Sequence, residues 1–145
     1  MGSRQVWRAV TVAASREQIF DLLADPANHP LLDGSGTVRA SRDGGPTRLS
    51  LGARFGMDMR MGAPYRIRNT VVEFEENRLI AWRHFMGHRW RWLLEPAGDG
   101  KTTVTETFDY STARSPLALR LLGFPRRNTE GIAKTLARLA KMFPG

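Results

Sequence analysis

Ionisable side chains within alternating segments are the first candidates for chemistry in this sequence. Glu106 and Trp92 belong to two period-two segments, residues 88–96 and 101–110, which are joined by Gly98-Asp99-Gly100. A three-residue hairpin loop at that point places Glu106 opposite Trp92 on one face of a sheet. That face is mostly apolar, so desolvation would raise the pKa of the carboxyl and suit Glu106 to general acid or base work.

Three further polar groups fall on the same face in this register. His88 lies opposite Tyr110 at the strand end, and with Glu106 these two are the candidates for moving protons. Arg83 would sit two strands away from Glu106. A salt bridge between Arg83 and Glu106 is the purely structural interpretation, because buried charges are normally paired. No residue is assigned as catalytic from the sequence.

The preceding turns extend this face, since a slip of one residue moves a strand's side chains to the other side. Two-residue turns at Met86-Gly87 and Glu76-Asn77 predict that the inner face also carries Phe85, Arg83, Ala81, Leu79, Phe74, Val72, Thr70 and Arg68. If the loop at Met86-Gly87 is one residue longer, Trp82 and His84 replace Ala81 and Arg83 inside. The register at that turn therefore stays open.

Residues 49–61 have the cleanest alternation in the chain. Leu49, Leu51, Ala53, Phe55, Met57, Met59 and Met61 occupy one face of the predicted strand. Methionines in such a row usually fill a core, but thioether side chains can also form the adaptable wall of a ligand cavity. Both interpretations place them on a buried face.

Composition limits the class of protein. A chain of 145 residues can form one domain with an ordinary core, and the absence of cysteine excludes disulfides and thiolate chemistry. We find no signal peptide or transmembrane run and predict a soluble, cytoplasmic protein. The three histidines lack metal-ligand spacing, and no phosphate-binding glycine motif occurs, so no metal or cofactor is predicted. The net charge of +8 allows nucleic-acid binding, but scattered arginines without an RNA-binding motif make it unlikely.

The remaining elements define an α+β class. A first strand over residues 5–12 precedes a short helix that Ser15 and Gln18 can cap, and a second short helical turn covers residues 26–32. A short strand over residues 36–40 and a turn over residues 43–46 follow. Ser115-Pro116 begins a helix that Pro125 should interrupt, and residues 126–143 form a long amphipathic helix with Ile132 and Leu136 on its apolar side. A curved seven-stranded antiparallel sheet wrapped around this C-terminal helix is the predicted architecture.

Three segments resemble a known superfamily. They are VAASREQIFDLLADP at residues 12–26, VVEF at 71–74 leading to IAW at 80–82, and TTVTET at 102–107. Together they are similar to the helix-grip or START-like superfamily, which includes plant pollen-allergen proteins and bacterial polyketide cyclase/dehydrase and lipid-transport proteins. The resemblance covers nearly the whole chain. It implies a hydrophobic tunnel between sheet and terminal helix, and no catalytic set is shared across the superfamily.

Three functions remain open at this stage. The first is binding of a small hydrophobic ligand, oriented by Arg68, Arg83 or Glu106. The second is a cofactor-independent cyclase or dehydratase that uses Glu106 with His88 or Tyr110. The third is a macromolecular partner role on a ribosome or quinone-handling complex, and the protein could be a monomer or a homodimer. The predicted ligand-binding residues are Phe55, Met57, Met59, Arg68, Thr70, Val72, Arg83, Trp90, Trp92, Glu106, Phe108, Ile132 and Leu136.

Overall fold

An antiparallel sheet and one long C-terminal helix make up most of the computed structural model, which describes residues 4–34, 38–41 and 48–144. The strands are β1 Gln5–Val12, β2 Val38–Ser41, β3 Arg54–Met61, β4 Ala63–Glu75, β5 Leu79–His84, β6 Arg89–Gly98 and β7 Lys101–Asp109. The helices are α1 Arg16–Ala24, α2 His29–Leu32, α3 Pro116–Leu121 and α4 Phe124–Met142, with a 3₁₀ turn at Pro26–Asn28 between α1 and α2. The α+β class is confirmed.

The strand order in the sheet is β1-β7-β6-β5-β4-β3-β2, and each neighbouring pair is antiparallel. Six strands have six or more residues, and the four-residue β2 extends the sheet at its β3 edge. The α4 helix packs against β1 and β7 and also contacts α2. Its buried side consists of Gly131, Ile132, Thr135, Leu136 and Leu139, at the spacing of one helical face. The helix-grip arrangement follows from this packing.

The β6–β7 register agrees with the prediction. Trp90 pairs with Phe108, Trp92 with Glu106 and Leu94 with Val104. The connection differs in detail, because Gly98 pairs with Lys101 and the register shifts between Pro96 and Gly98. A two-residue Asp99-Gly100 turn plus one extra residue in β6 gives the same β6–β7 pairing register as a three-residue loop.

The two turns that flank β5 are each one residue longer than predicted. Glu75 pairs with Leu79, and the His84 N–H donates to the His88 carbonyl at 2.8 Å, so residues 76–78 and 85–87 are three-residue loops. Asn77 has φ 63° and Gly87 has φ 102°, the left-handed conformation that closes each loop. The longer 85–87 loop turns β5 over relative to β6, so that Trp82 faces inward and Arg83 is exposed. The predicted two-residue turn at Glu76-Asn77 is wrong, whereas at Met86-Gly87 the alternative of a loop one residue longer is confirmed.

A bulge in β4 also changes which side chains face the inner side of the sheet. The β4–β5 register shifts between Val71 and Glu73, so Phe74 and Val71 both lie on the inner face although three positions separate them. The extra residue, Val72, interrupts the alternation of the strand. Beyond the bulge the inward positions are Val71, Asn69 and Ile67. The predicted inward series through Val72, Thr70 and Arg68 is therefore wrong.

Local signals in the helical segments were largely reliable. Ser15 and Gln18 form the predicted capping box, and α1 ends at Ala24 before Asp25-Pro26. The long helix begins at Phe124, after Gly123 at φ 80°, so Pro125 occupies its first turn instead of interrupting a preceding helix. The strand predicted from Leu49 begins only at Arg54. The predicted turn at residues 43–46 lies outside the described residues.

The main core lies between the sheet and the helices. Its fully buried members include Ile19, Phe20, Leu23, Ile80, Leu94, Val104, Phe108, Ile132 and Leu139. Among the helices of the described chain, none combines the length and apolarity needed to cross a bilayer.

Candidate functional site

A cavity of about 130 Å³ lies between the inner face of the sheet and α4. This volume is well above the roughly 10–15 Å³ that a single water needs. The sheet contributes Val38, Met57, Met59, Ile67, Asn69, Trp82, Trp90, Trp92 and Glu106 to its wall. The helical segments contribute Leu23, His29, Leu32, Asp33, Asn128, Gly131, Ile132 and Thr135. The cavity is largely apolar, with a few polar groups and no lysine or arginine among these lining residues.

Glu106 is the buried acid of the cavity. The β7 strand alternates between buried and half-buried side chains, and this places Glu106 inward beside Trp92 of β6. Burial raises the pKa of the Glu106 carboxyl well above its ordinary value, and the negative charge of nearby Asp33 raises it further. The cavity therefore favours the protonated carboxyl, which can donate a hydrogen bond.

Three buried polar atoms of the cavity wall lack a hydrogen-bond partner within the described part of the chain. They are Glu106 Oε1, Trp92 Nε1 and Asn69 Oδ1, on three residues that are each at most 6% exposed. Leaving such groups unpaired costs about 1–3 kcal/mol each, so native proteins rarely leave them so. The indole N–H is a donor, and the Asn69 oxygen is an acceptor. A ligand that both accepts and donates hydrogen bonds would satisfy them.

His29 forms an aromatic stack at the cavity wall. Its ring lies 4.8 Å from that of Trp82, nearly parallel, and meets the Phe55 ring edge-on at 5.5 Å. Burial lowers the pKa of His29, so its imidazole is neutral. His29 Nε2 lies 2.9 Å from the Leu23 carbonyl oxygen, which can only accept, so Nε2 carries the proton. The ring is thus a fixed, uncharged part of the wall.

The segment after α2 is fastened to α4 beside the cavity. The Gly34 N–H donates to Thr135 Oγ1 at 2.8 Å, and the Arg138 guanidinium donates to the Asp33 carbonyl at 2.6 Å. A Cβ added at Gly34 would lie 2.4 Å from Lys134 Cβ and 2.6 Å from the Thr135 nitrogen. Only glycine fits this approach, which brings Asp33 to the cavity wall.

The structure brings some of the predicted site residues together and separates others. Met57, Met59, Trp90, Trp92, Glu106 and Ile132 line the cavity. Phe55, Phe108 and Leu136 are buried in the core beside it. Arg68 and Arg83 are exposed, and Thr70 and Val72 fall outside the inner alternation, because of the longer turns and the β4 bulge. The predicted Arg83–Glu106 pair does not form.

Several lining residues were absent from the sequence prediction. Trp82 was named there only as the alternative for a longer loop, and Ile67 and Asn69 follow once the β4 bulge is known. His29 and Asp33 lie in the short helical segment between α1 and β2, where no periodicity marks an inward side. Two polar residues within the apolar stretch HPLLD were the only available signal.

His88 and Tyr110 lie outside the cavity wall. Tyr110 is buried in the core, and its ring stacks on Phe108 at 5.7 Å. His88 stacks on His84 at 4.3 Å and meets the Phe108 ring edge-on at 5.2 Å. Burial lowers the pKa of His84 to about 4, and burial together with His84 lowers that of His88 to about 3. Both rings are neutral at physiological pH.

The histidine pair predicts acid destabilisation. The folded pKa values lie below the unfolded value of about 6.5, so the stability from neutral rings is present above pH ~6.5 and is lost as pH falls toward 4 and 3. His88→Phe keeps the aromatic contacts and removes one titrating group. We expect a flatter decline in the free energy of unfolding, by up to about 1.4 kcal/mol per pH unit. Urea unfolding at several pH values measures this, and an unchanged slope would contradict it.

The fold and cavity define a helix-grip protein, and comparisons with known proteins identify the family. Residues 3–143 match the family described as polyketide cyclase / dehydrase and lipid transport, so the chain belongs to this family, within the START-like superfamily. The chain is 42% identical over 147 residues to the uncharacterized protein Rv0088 of Mycobacterium tuberculosis. That match covers 98% of this chain but 65% of the relative, so the chain spans less than two thirds of the curated protein.

Solved structures share the fold at low identity. A Deinococcus radiodurans protein superposes with a TM-score of 0.66 at 21% identity, covering 94% of this chain and 95% of that one. The Polyketide_cyc-like protein Cgl2372 of Corynebacterium glutamicum gives 0.64 at 22% identity, with 97% and 91% covered. The Aha1 dimer of Colwellia psychrerythraea gives 0.67 at 16% identity, with 96% and 95% covered. These similarities establish the fold alone.

Proposed function

We propose that this chain binds a small, largely apolar and uncharged molecule that carries a group able both to donate and to accept hydrogen bonds, such as a hydroxyl. The observation that supports this most directly is the set of unpartnered polar atoms on Glu106, Trp92 and Asn69 in an otherwise apolar cavity. The membership in a family described by lipid transport is consistent with such a ligand. The ligand's polar group would restore the hydrogen bonds that the wall lacks.

The charge distribution argues against an acidic ligand group. None of the described lining residues is a lysine or arginine, and the exposed Arg68 and Arg83 cannot reach a ligand on the inner face. The charge of Asp33 already raises the pKa of Glu106, so it would also oppose a second negative charge nearby. A carboxylate or phosphate placed in this cavity would find no lysine or arginine counter-charge among the described lining residues.

A cavity-filling variant tests the proposal. Met59→Trp places a larger side chain at the half-buried lining position on β3, and Met142→Trp makes the same change at an exposed position near the end of α4. We expect native mass spectrometry of protein purified from its own host to show a bound compound in wild type and in Met142→Trp. In Met59→Trp its occupancy should fall about tenfold, the effect of a steric cost of ~1–3 kcal/mol. A compound retained equally by both variants would contradict binding in this cavity.

The raised pKa of Glu106 supports a second function, acid–base catalysis on the bound molecule. A protonated carboxylic acid in a largely apolar cavity is suited to protonate a carbonyl or a leaving hydroxyl, the step that a cyclase or dehydratase requires. Incubating the recovered compound with wild type and with Glu106→Gln separates the two functions. A binding protein returns the compound chemically unchanged from both, whereas an enzyme converts it, to an isomer or with loss of water, only when Glu106 is present.

A further inference from the structure

Exposed apolar side chains cluster at the end of the molecule where α3 meets the 85–87 loop. Leu117, Leu121 and Leu122 are 62–77% exposed, and Phe85 and Met86 are also exposed. The Arg114 N–H donates to the Met86 carbonyl at 3.0 Å, and Thr112 Oγ1 donates to the Gly87 carbonyl at 2.6 Å, so the loop is held against the segment that leads into α3. We call these five side chains the apolar patch.

The α3 helix turns most of its apolar surface outward. Leu119 packs on the core, whereas Leu117 and Leu121, four residues apart, lie together on the solvent side. Not one residue of this six-residue helix is buried. Such a helix gains little stability from its own packing, and exposed leucines in this number usually mark an interaction surface.

Positive charge surrounds the apolar patch. Residues 110–129 contain Arg114, Arg120, Arg126 and Arg127 and no aspartate or glutamate. Arg114, Arg120, Arg126 and Arg127 are all exposed, as is Arg68, whose carbonyl accepts from the Phe85 N–H. A second copy meeting this surface symmetrically would bring the same arginines against each other. The charge therefore favours an anionic partner over self-association.

We propose that the apolar patch docks on an anionic lipid surface. Leucine and phenylalanine side chains would enter the headgroup boundary while the surrounding arginines contact lipid phosphates. The α4 helix begins at Phe124, directly after the patch, and its next turn contributes Asn128 to the cavity wall. Docking would hold the cavity's α4 wall close to the membrane surface, where apolar compounds concentrate.

Vesicle sedimentation tests this surface with a matched pair of variants. Leu121→Asp changes a leucine of the patch, and Leu51→Asp changes a similarly exposed leucine before β3. Wild type should sediment with phosphatidylcholine vesicles that contain phosphatidylglycerol, more weakly with phosphatidylcholine alone, and more weakly at raised salt. Leu121→Asp should weaken binding about tenfold or more, because it removes apolar contact and adds a negative charge, while Leu51→Asp binds as wild type.

Three outcomes would overturn the proposal. They are no preference for anionic vesicles, equal losses in both variants, or light scattering that shows a dimer which Leu121→Asp converts to a monomer. Arg120→Gln tests the electrostatic part of the proposal. Because it removes one positive charge beside the apolar patch, it should lower binding to anionic vesicles only. Native mass spectrometry of Leu121→Asp measures whether the variant still retains the cavity ligand. Loss of vesicle binding with the ligand retained would show that this surface acts separately from the proposed cavity function.

Discussion

Replacing Glu106 with glutamine is expected to make the protein more stable than wild type at neutral and alkaline pH. The folded pKa of Glu106 is raised, so its contribution to stability is complete below the unfolded pKa of about 4.5 and is lost as pH rises toward the folded value. Glutamine matches the shape of the protonated acid and has no proton to lose. The difference in free energy of unfolding should grow by up to about 1.4 kcal/mol per pH unit within that window.

Thermal unfolding of ligand-free protein across this pH range measures the effect. Near pH 4 the two proteins should unfold at similar temperatures, because wild-type Glu106 is then protonated. Glu95→Gln, at an exposed position on β6, provides the control for removing a carboxyl without a buried environment. A constant difference between wild type and Glu106→Gln at every pH would show that Glu106 does not titrate in the cavity as described.

Gly34→Ala should separate the Asp33 segment of the cavity wall from α4 and destabilise the fold. The new Cβ would meet Lys134 Cβ and the backbone at Thr135 at distances that real atoms do not adopt. Either α4 or the Asp33 segment must move, which breaks the Gly34–Thr135 hydrogen bond. We expect a loss of about 1–3 kcal/mol in the free energy of unfolding, typical of overpacking at a close contact, together with weaker retention of the cavity ligand.

A double variant distinguishes backbone collision from side-chain crowding. Lys134→Gly removes the nearest Cβ but leaves the Lys134 carbonyl carbon and the Thr135 nitrogen, each 2.6 Å from the new methyl group. Adding Lys134→Gly to Gly34→Ala should therefore restore little of the lost stability. The glycine should also lower stability by its own helix-propensity cost. Full recovery in urea unfolding experiments would mean that α4 and the Asp33 segment are less closely joined than described.

The strand register could be predicted from the sequence where one local signal defined the turn. The glycines around Asp99 marked the β6–β7 connection, and the pairing of Trp92 with Glu106 followed from it without further information. The neighbouring turns carry one left-handed residue each, Asn77 and Gly87, which shows that a turn exists but not how many residues it contains. The added residue in the 85–87 loop moved Arg83 from the predicted site to the surface.

The cavity was predictable only in its regular walls. Alternation identified Met57 and Met59 on β3, and helical spacing identified Ile132 on α4, because both periods are set by backbone geometry. His29 and Asp33 are placed at the cavity wall by two short helical turns, whose direction depends on tertiary contacts such as the Gly34–Thr135 hydrogen bond. The effect of Asp33 on the pKa of Glu106 therefore had no counterpart in the sequence pattern.

The placement of the tryptophans makes the protein an optical sensor of its own cavity. Trp82, Trp90 and Trp92 line it, whereas Trp7, the remaining indole of the four, is more than half exposed on β1. Intrinsic fluorescence is thus dominated by side chains within reach of a bound molecule. Changes in quenching or emission colour could rank candidate ligands directly, without labels and in a single titration.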